Sequence, residues 1–147
     1  SREYFAVVHG VPNGDSGTIV GAVGRHPVDR KKYAVVSDAS GRYARTHWTL
    51  VERFGDYSLL RFKLDTGRTH QIRVHCAHIN HPVVGDITYS RCRKLPVDLP
   101  GQALHAVQLG LDHPITGERM VFDAPLPPVM EKLLLVLRRR AGASSPV

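Results

Sequence analysis

Thr66-Gly67-Arg68-Thr69-His70-Gln71-Ile72-Arg73-Val74-His75 is the stretch where the chain changes its period. Before it, Tyr57 to Leu64 alternates: Leu60, Phe62 and Leu64 face one way, Arg61, Lys63 and Asp65 the other. That is the pattern of a strand with one buried face. After Gly67, apolar residues recur as Ile72, Cys76 and Ile79, at i, i+4 and i+7, which is one face of a helix starting near Thr69. Asn80-His81-Pro82 closes it, because the residue before a proline is driven from helical angles. Upstream, Ala44 to Phe54 alternates in part. Trp48, Leu50 and Phe54 share one parity, Arg45, His47, Thr49 and Arg53 the other, while Val51 and Glu52 break the pattern. Gly55-Asp56 between the two runs is a two-residue hairpin signal.

Working outward, Arg2 to Gly10, Thr18 to Val20 and Tyr33 to Val36 read as strands, as do Leu104 to Leu111 and Met120 to Phe122. Pro114 to Gly117 is a turn, and Gly24–Lys32 and Arg91–Gln102 are loops. Pro127 to Arg140 is the last helix, with proline at its start and Arg138, Arg139 and Arg140 placed to complement the dipole at its end. Many strands with two helices predict an α+β fold: a mixed, largely antiparallel sheet with a few flanking helices. Residues 1–140 form one domain in this reading, and 141–147 a flexible tail.

With 147 residues, 42% hydrophobic and 22% charged, the chain is of a size and composition to bury a core. No apolar run is long enough for a membrane span and no secretory pattern opens the chain, so no membrane partner is expected. Cys76 and Cys92 lack disulfide or C-x-x-C spacing, which makes a reducing cytoplasm the default compartment. A net charge of +7 favours a polyanionic partner without choosing among RNA, DNA and ribosomal association. Arg25, Lys31, Lys32, Arg91, Arg93 and Lys94 are candidate phosphate contacts; a solvated surface explains each one equally well. Ser1 in place of Met, directly before a strand, suggests a fragment or a processed product.

On a helix, Arg73 lies about 100° from Ile72, at the edge of the buried stripe. A guanidinium there is costly unless it meets a carboxylate or phosphate, ideally through a bidentate fork. Arg68, about 140° away on the same geometry, is not expected to share a partner with Arg73, and reads as a loop arginine aimed at phosphate. Pairing of both arginines with local acids is the open alternative. His70, His75, His78, His81 and Cys76 fall within twelve residues, yet on a helix they point in several directions, so no metal site is expected.

Gly67-Arg68-Thr69-His70-Gln71-Ile72-Arg73-Val74-His75 resembles the signature of the RluA-type pseudouridine synthases. Arg2-x-Tyr4-x-Ala6-x-Val8-x-Gly10 is similar to their K-x-Y-x-A-x-V-x-G strand, with Arg2 replacing the usual lysine. His81-Pro82-Val83-Val84-Gly85-Asp86 with Tyr89 is similar to their H-P-I-x-G-D-x-x-Y loop. Leu104-His105-Ala106, His113-Pro114-x-Thr116-Gly117-Glu118 and Ala124-Pro125-x-Pro127 continue the family's order. The resemblance implies isomerisation of uridine in RNA without cofactor or metal, on ribosomal in preference to transfer RNA, by a monomer. It implies a catalytic Asp, a paired Arg carried over as Arg73, and a Tyr stacked on the flipped base, carried over as Tyr4. Arg68, His70 and Gln71 join the candidate RNA contacts. The family's H-R-L-D-x-x-T-S-G-type segment has no counterpart here; Lys63-Leu64-Asp65-Thr66-Gly67 is only an echo, with Asp65 alternating away from the apolar face. The expectation is therefore a C-terminal part of a catalytic domain that is inactive alone, with Arg73's carboxylate outside the chain. The alternative is a non-catalytic RNA-binding domain that keeps the fold.

Overall fold

The computed structural model describes residues 2–91, 95–112, 119–123 and 126–144. In chain order the elements are β1 (Arg2–His9), β2 (Ser16–Val20), β3 (Val23–Arg25), β4 (Tyr33–Val35), β5 (Arg45–Arg53) and β6 (Tyr57–Leu64). They are followed by α1 (Gln71–His78), β7 (Leu104–Asp112), β8 (Arg119–Asp123) and α2 (Pro128–Ser144). Six strands form one sheet in the order β2-β5-β6-β1-β7-β8, and β3 and β4 form a separate hairpin. Every pairing is antiparallel. The α+β expectation holds. The turn expected at Pro114–Gly117 lies outside the described residues, as do Arg93 and Lys94.

The first strand ends up in the middle of the sheet, between β6 and β7. This strand is covered on both faces, and Ala6, Val7 and Val8 are all fully buried. Ala6 and Val8 join Leu60, Phe62, Ile72 and Cys76 under α1. Val7 joins Leu59, Leu133, Leu134 and Leu137 under α2. The sheet is thus the middle of three layers.

The hairpin of β5 and β6 forms as its alternation requires, with Gly55 at φ 74 and the Phe54 N–H bonded to the Tyr57 carbonyl at 2.8 Å. The break at Val51 and Glu52 is a β-bulge: the register shifts between Leu50 and Glu52. The extra residue, Val51, is released toward solvent.

Helix α1 is shorter than the pattern suggested. His70 sits at φ 54 in the left-handed region, so the helix cannot start before Gln71. Its end is set by Asn80 at φ 65, ahead of the proline effect. The Asn80 N–H reaches the Ala77 carbonyl at 3.0 Å and the His81 N–H reaches Cys76 at 2.9 Å, the paired bonds of a Schellman motif. Helix α2 runs through Ser144, four residues into the stretch expected as a tail. Its apolar stripe continues to Ala141, which packs on the same core as Leu137. Arg138 is therefore not a helix-end cation; it forks onto Glu52 of β5 at 2.9–3.1 Å.

Candidate active site at the strand-to-helix junction

Two side chains of the opening stretch turn inward and fasten it to the sheet. Gln71 Oε1 accepts from the Thr66 hydroxyl (2.8 Å) and the Arg68 N–H (3.0 Å), while its amide donates to the Arg45 carbonyl (3.1 Å) and Thr46 Oγ1 (2.9 Å). The Gly21 carbonyl can only accept, so His75 Nε2 carries the proton that donates to it at 2.9 Å. That fixes the tautomer, and Nδ1 accepts from the Thr46 hydroxyl, 2.8 Å away. Burial holds His75 below the ordinary histidine pKa, so it stays neutral. Gln71, expected among the RNA contacts, is buried with all its hydrogen-bonding capacity used, and it lines the cleft that also holds Arg68 and Arg73. Its task is to hold the loop. Polarity alone marked Gln71 as an RNA contact; the packing of α1 on β5 turns both it and His75 inward.

Arg73 faces the other way, and its carboxylate is in the chain. Arg73 Nε donates to Asp86 Oδ2 at 2.8 Å and Nη2 to Oδ1 at 3.0 Å. The Asp86 side chain is fully buried and that of Arg73 is 13% exposed. Asp86 Oδ1 also accepts the N–H groups of Thr88 (3.0 Å) and Tyr89 (3.1 Å). Burial alone would raise the Asp86 pKa; the Arg73 hydrogen bonds and the two backbone N–H groups outweigh it, and the carboxyl is held below its ordinary value. The expectation that Arg73 lacks a partner here is corrected. The local-acid alternative holds for Arg73, and the signal was the Gly85-Asp86 pair in the quoted loop.

Asp86 does not complete a catalytic centre. Both its oxygens are engaged, it is sealed from solvent, and it acts as the orienting group for Arg73. A guanidinium has five N–H donors; Asp86 takes two, leaving three for another acceptor. Tyr89 lies against the same guanidinium, 5.0 Å from ring centre to Cζ. Its hydroxyl accepts the Tyr33 N–H at 3.1 Å and stands 2.8 Å from His70 Nδ1. Burial and the nearby Arg73 charge lower the His70 pKa, favouring a neutral ring that accepts the Tyr89 proton.

Tyr4, Arg68, His70 and Arg73 line one cleft of about 360 Å³, together with Gln102 and Leu104. Tyr4 gets there because it alternates with the buried Ala6 and Val8 on the α1 face of β1. Arg68 shares the cleft with Arg73 despite the helical angle between them, since Arg68 precedes the helix and its position follows the loop. Its Nε–H is tied to the Tyr43 carbonyl at 2.8 Å. Asp65 lies elsewhere, 2.7 Å from His47 and 3.6 Å from Arg45. Lys32 and Arg91 border a separate surface depression, and Arg25 a third; Lys31 is exposed. Among the described residues no group of three or more His, Cys, Asp and Glu side chains is arranged to hold a metal. No helix among them is long and apolar enough to cross a membrane.

A family model described as RNA pseudouridylate synthase matches residues 1–78. An uncharacterized RNA pseudouridine synthase of Synechocystis is 51% identical over 140 residues, covering 95% of this chain and 43% of its own length. The ribosomal large subunit pseudouridine synthase D of Pseudomonas aeruginosa is 47% identical over 150 residues, covering 95% of this chain and 46% of its own. The chain thus spans less than half the length of these curated relatives. A solved structure, human RNA pseudouridylate synthase domain containing 1, superposes with a TM-score of 0.70 at 26% identity, over 99% of this chain and 66% of that one.

Proposed function

Since this chain belongs to the RNA pseudouridylate synthase family, we propose that its cleft is half of an active site that isomerises uridine in RNA, ribosomal RNA before transfer RNA. The observation that carries the reading is the meeting of Tyr4 and Arg73 in one cleft from opposite ends of the matched segment. Tyr4 offers a ring face from a rigid central strand, suited to stacking on a uracil turned out of its helix. Arg73, held in place by Asp86, offers its remaining N–H groups to a second carboxylate and keeps that carboxylate ionised and nucleophilic. No carboxylate lines the cleft among the described residues. In our reading the nucleophilic aspartate comes from a part of the protein outside this chain.

The reaction breaks the bond between N1 of uracil and C1′ of ribose, rotates the base, and forms a bond from C5 to C1′. The C5 proton is lost and N1 gains one, so no redox partner or metal is required. Loss of the C5 proton from tritiated uridine therefore reports turnover. The complete protein should release tritium, Arg73→Ala in that protein should release about a hundred-fold less or worse, as for other misplaced charge-stabilising groups, and this chain alone should release none. Unchanged turnover in the variant would reject the site. No turnover by the complete protein, with RNA binding intact, would favour a non-catalytic RNA-binding domain that keeps the synthase fold.

A further inference from the structure

A second cleft, of about 380 Å³, lies across Gly67 and Arg68 from the first, and both residues line both clefts. Arg25, Arg42 and Arg68 border it with Tyr33, Ser40 and Thr69, and no carboxylate does. Other arginines, Arg45, Arg53, Arg61, Arg73 and Arg138 among them, make ion pairs. The three cleft arginines are steered by uncharged groups. Arg25 donates to the Arg30 carbonyl at 3.0 Å and its guanidinium lies 4.9 Å from the Tyr33 ring centre. Arg68 donates to the Tyr43 carbonyl. Arg42 is placed by its backbone, bonded both ways to Val23 at 2.9 and 3.0 Å.

This close approach depends on two glycines, since a Cβ at Gly24 would meet the Ser40 carbonyl oxygen at 2.6 Å and one at Gly41 would meet the Val23 carbonyl oxygen at 2.8 Å. Three like charges gathered around one cavity repel one another, and carbonyl contacts orient them without neutralising them. Their natural complement is an anion with several acceptor oxygens.

We propose that this cleft binds a backbone phosphate of the RNA strand whose base enters the neighbouring cleft, with Arg42 as a binding residue alongside Arg25 and Arg68. The placement beside the base rests on the function proposed above. Continuity through Gly67 and Arg68 is what favours a strand phosphate over a free anion: one loop forms a wall of both clefts.

The test is fluorescence-anisotropy binding of this chain to a short single-stranded RNA with one uridine, across a salt titration. Arg42→Gln and Arg68→Gln should each weaken binding and lower the slope of log affinity against log salt by about 0.7, the value for one phosphate on a single strand. Arg139→Gln, on exposed α2, should leave the slope unchanged. A neutral methylphosphonate replacing one phosphate next to the uridine should weaken wild-type binding, with no further loss in the double variant.

Slopes equal to wild type in both single variants would overturn the proposal, as would equal slope losses in Arg139→Gln. So would a double variant that still loses affinity at every methylphosphonate position. Inorganic phosphate or tripolyphosphate that binds through Arg42, with RNA affinity unaltered by Arg42→Gln, would mark a free-anion site and overturn it too. Matching urea midpoints for wild type and variants exclude misfolding. Tritium release by the complete protein reads the catalytic proposal separately, so either proposal can fail while the other stands.

Discussion

The two faces of the sheet are built on different chemistry. Under α2 the contacts are apolar: Val7 and Leu59 of the sheet meet Leu133, Leu134 and Leu137, with Val84 and Ala103 closing the sides. Under α1 the buried set includes Thr46, Gln71, His75 and Asp86 beside its apolar residues. Apolar packing is tolerant of direction, whereas a buried hydrogen-bond chain fixes every atom in it. Both faces bury an apolar cluster; the α1 face adds buried polar groups that hold a loop and an arginine in set positions.

Substitutions on the two faces should separate these roles. The largest effect is expected from Arg73→Ala, which leaves Asp86 charged, buried and unpaired, at a cost of about 3–5 kcal/mol in urea unfolding. Leu133→Ala, fully buried under the sheet, should cost about 2–5 kcal/mol through lost contact and cavity, with no change in the salt slope of RNA binding. A loss from Leu133→Ala well above that from Arg73→Ala would overturn this order, and negligible loss from either would break the contrast. Thr46→Val should cost about 1–3 kcal/mol by leaving Gln71 and His75 without their shared hydroxyl. It should also loosen the Gly67–His70 loop, which hydrogen exchange at the Arg68 amide can report.

Acid sharpens the comparison further. The folded pKa of His75 is depressed below its reference of 6.5, so the unfolded chain takes up the proton first as pH falls. The contribution is fully present above that reference and is lost below it, at up to about 1.4 kcal/mol per pH unit until the folded pKa is reached. Asp86, also depressed, adds a loss at lower pH that begins as pH falls through the ordinary aspartate range and continues toward its folded pKa. Urea midpoints should therefore drop between pH 7.5 and 5.5, and His75→Gln should flatten that dependence. A midpoint independent of pH over this window would show that the buried histidine carries no such burden. The smallest effect belongs to Arg138→Ala, below about 1 kcal/mol, because its fork to Glu52 is half exposed to solvent.

The sequence carried much of the apolar framework in plain view. Trp48, Leu50, Leu60 and Phe62 marked the β5–β6 hairpin, and the break at Val51 was the bulge itself. For the site, it showed that Arg73 needs a carboxylate, because burial at the stripe edge is a local property. It did not show that Asp86 supplies it, since that pairing depends on how the chain leaves the Asn80 turn. Gln71 was misleading for the same reason: a polar side chain looks like surface until a second element covers it. Arg42 carried no signal at all, because its cleft exists only once the β3–β4 hairpin stands beside the Gly67 loop.

Gly67 and Arg68 form a partition with a cleft on either side, and a partition transmits. If an anion in the arginine cleft settles the Arg68 backbone, whose N–H is already bonded to Gln71, it settles the rim of the other cleft as well. Linkage makes the effect reciprocal: the factor by which a bound phosphate tightens capture of the base equals the factor by which the base tightens capture of the phosphate. A strand filling both clefts would then bind more tightly than the product of its separate parts, and a loose nucleoside, lacking the phosphate, would be a poor competitor.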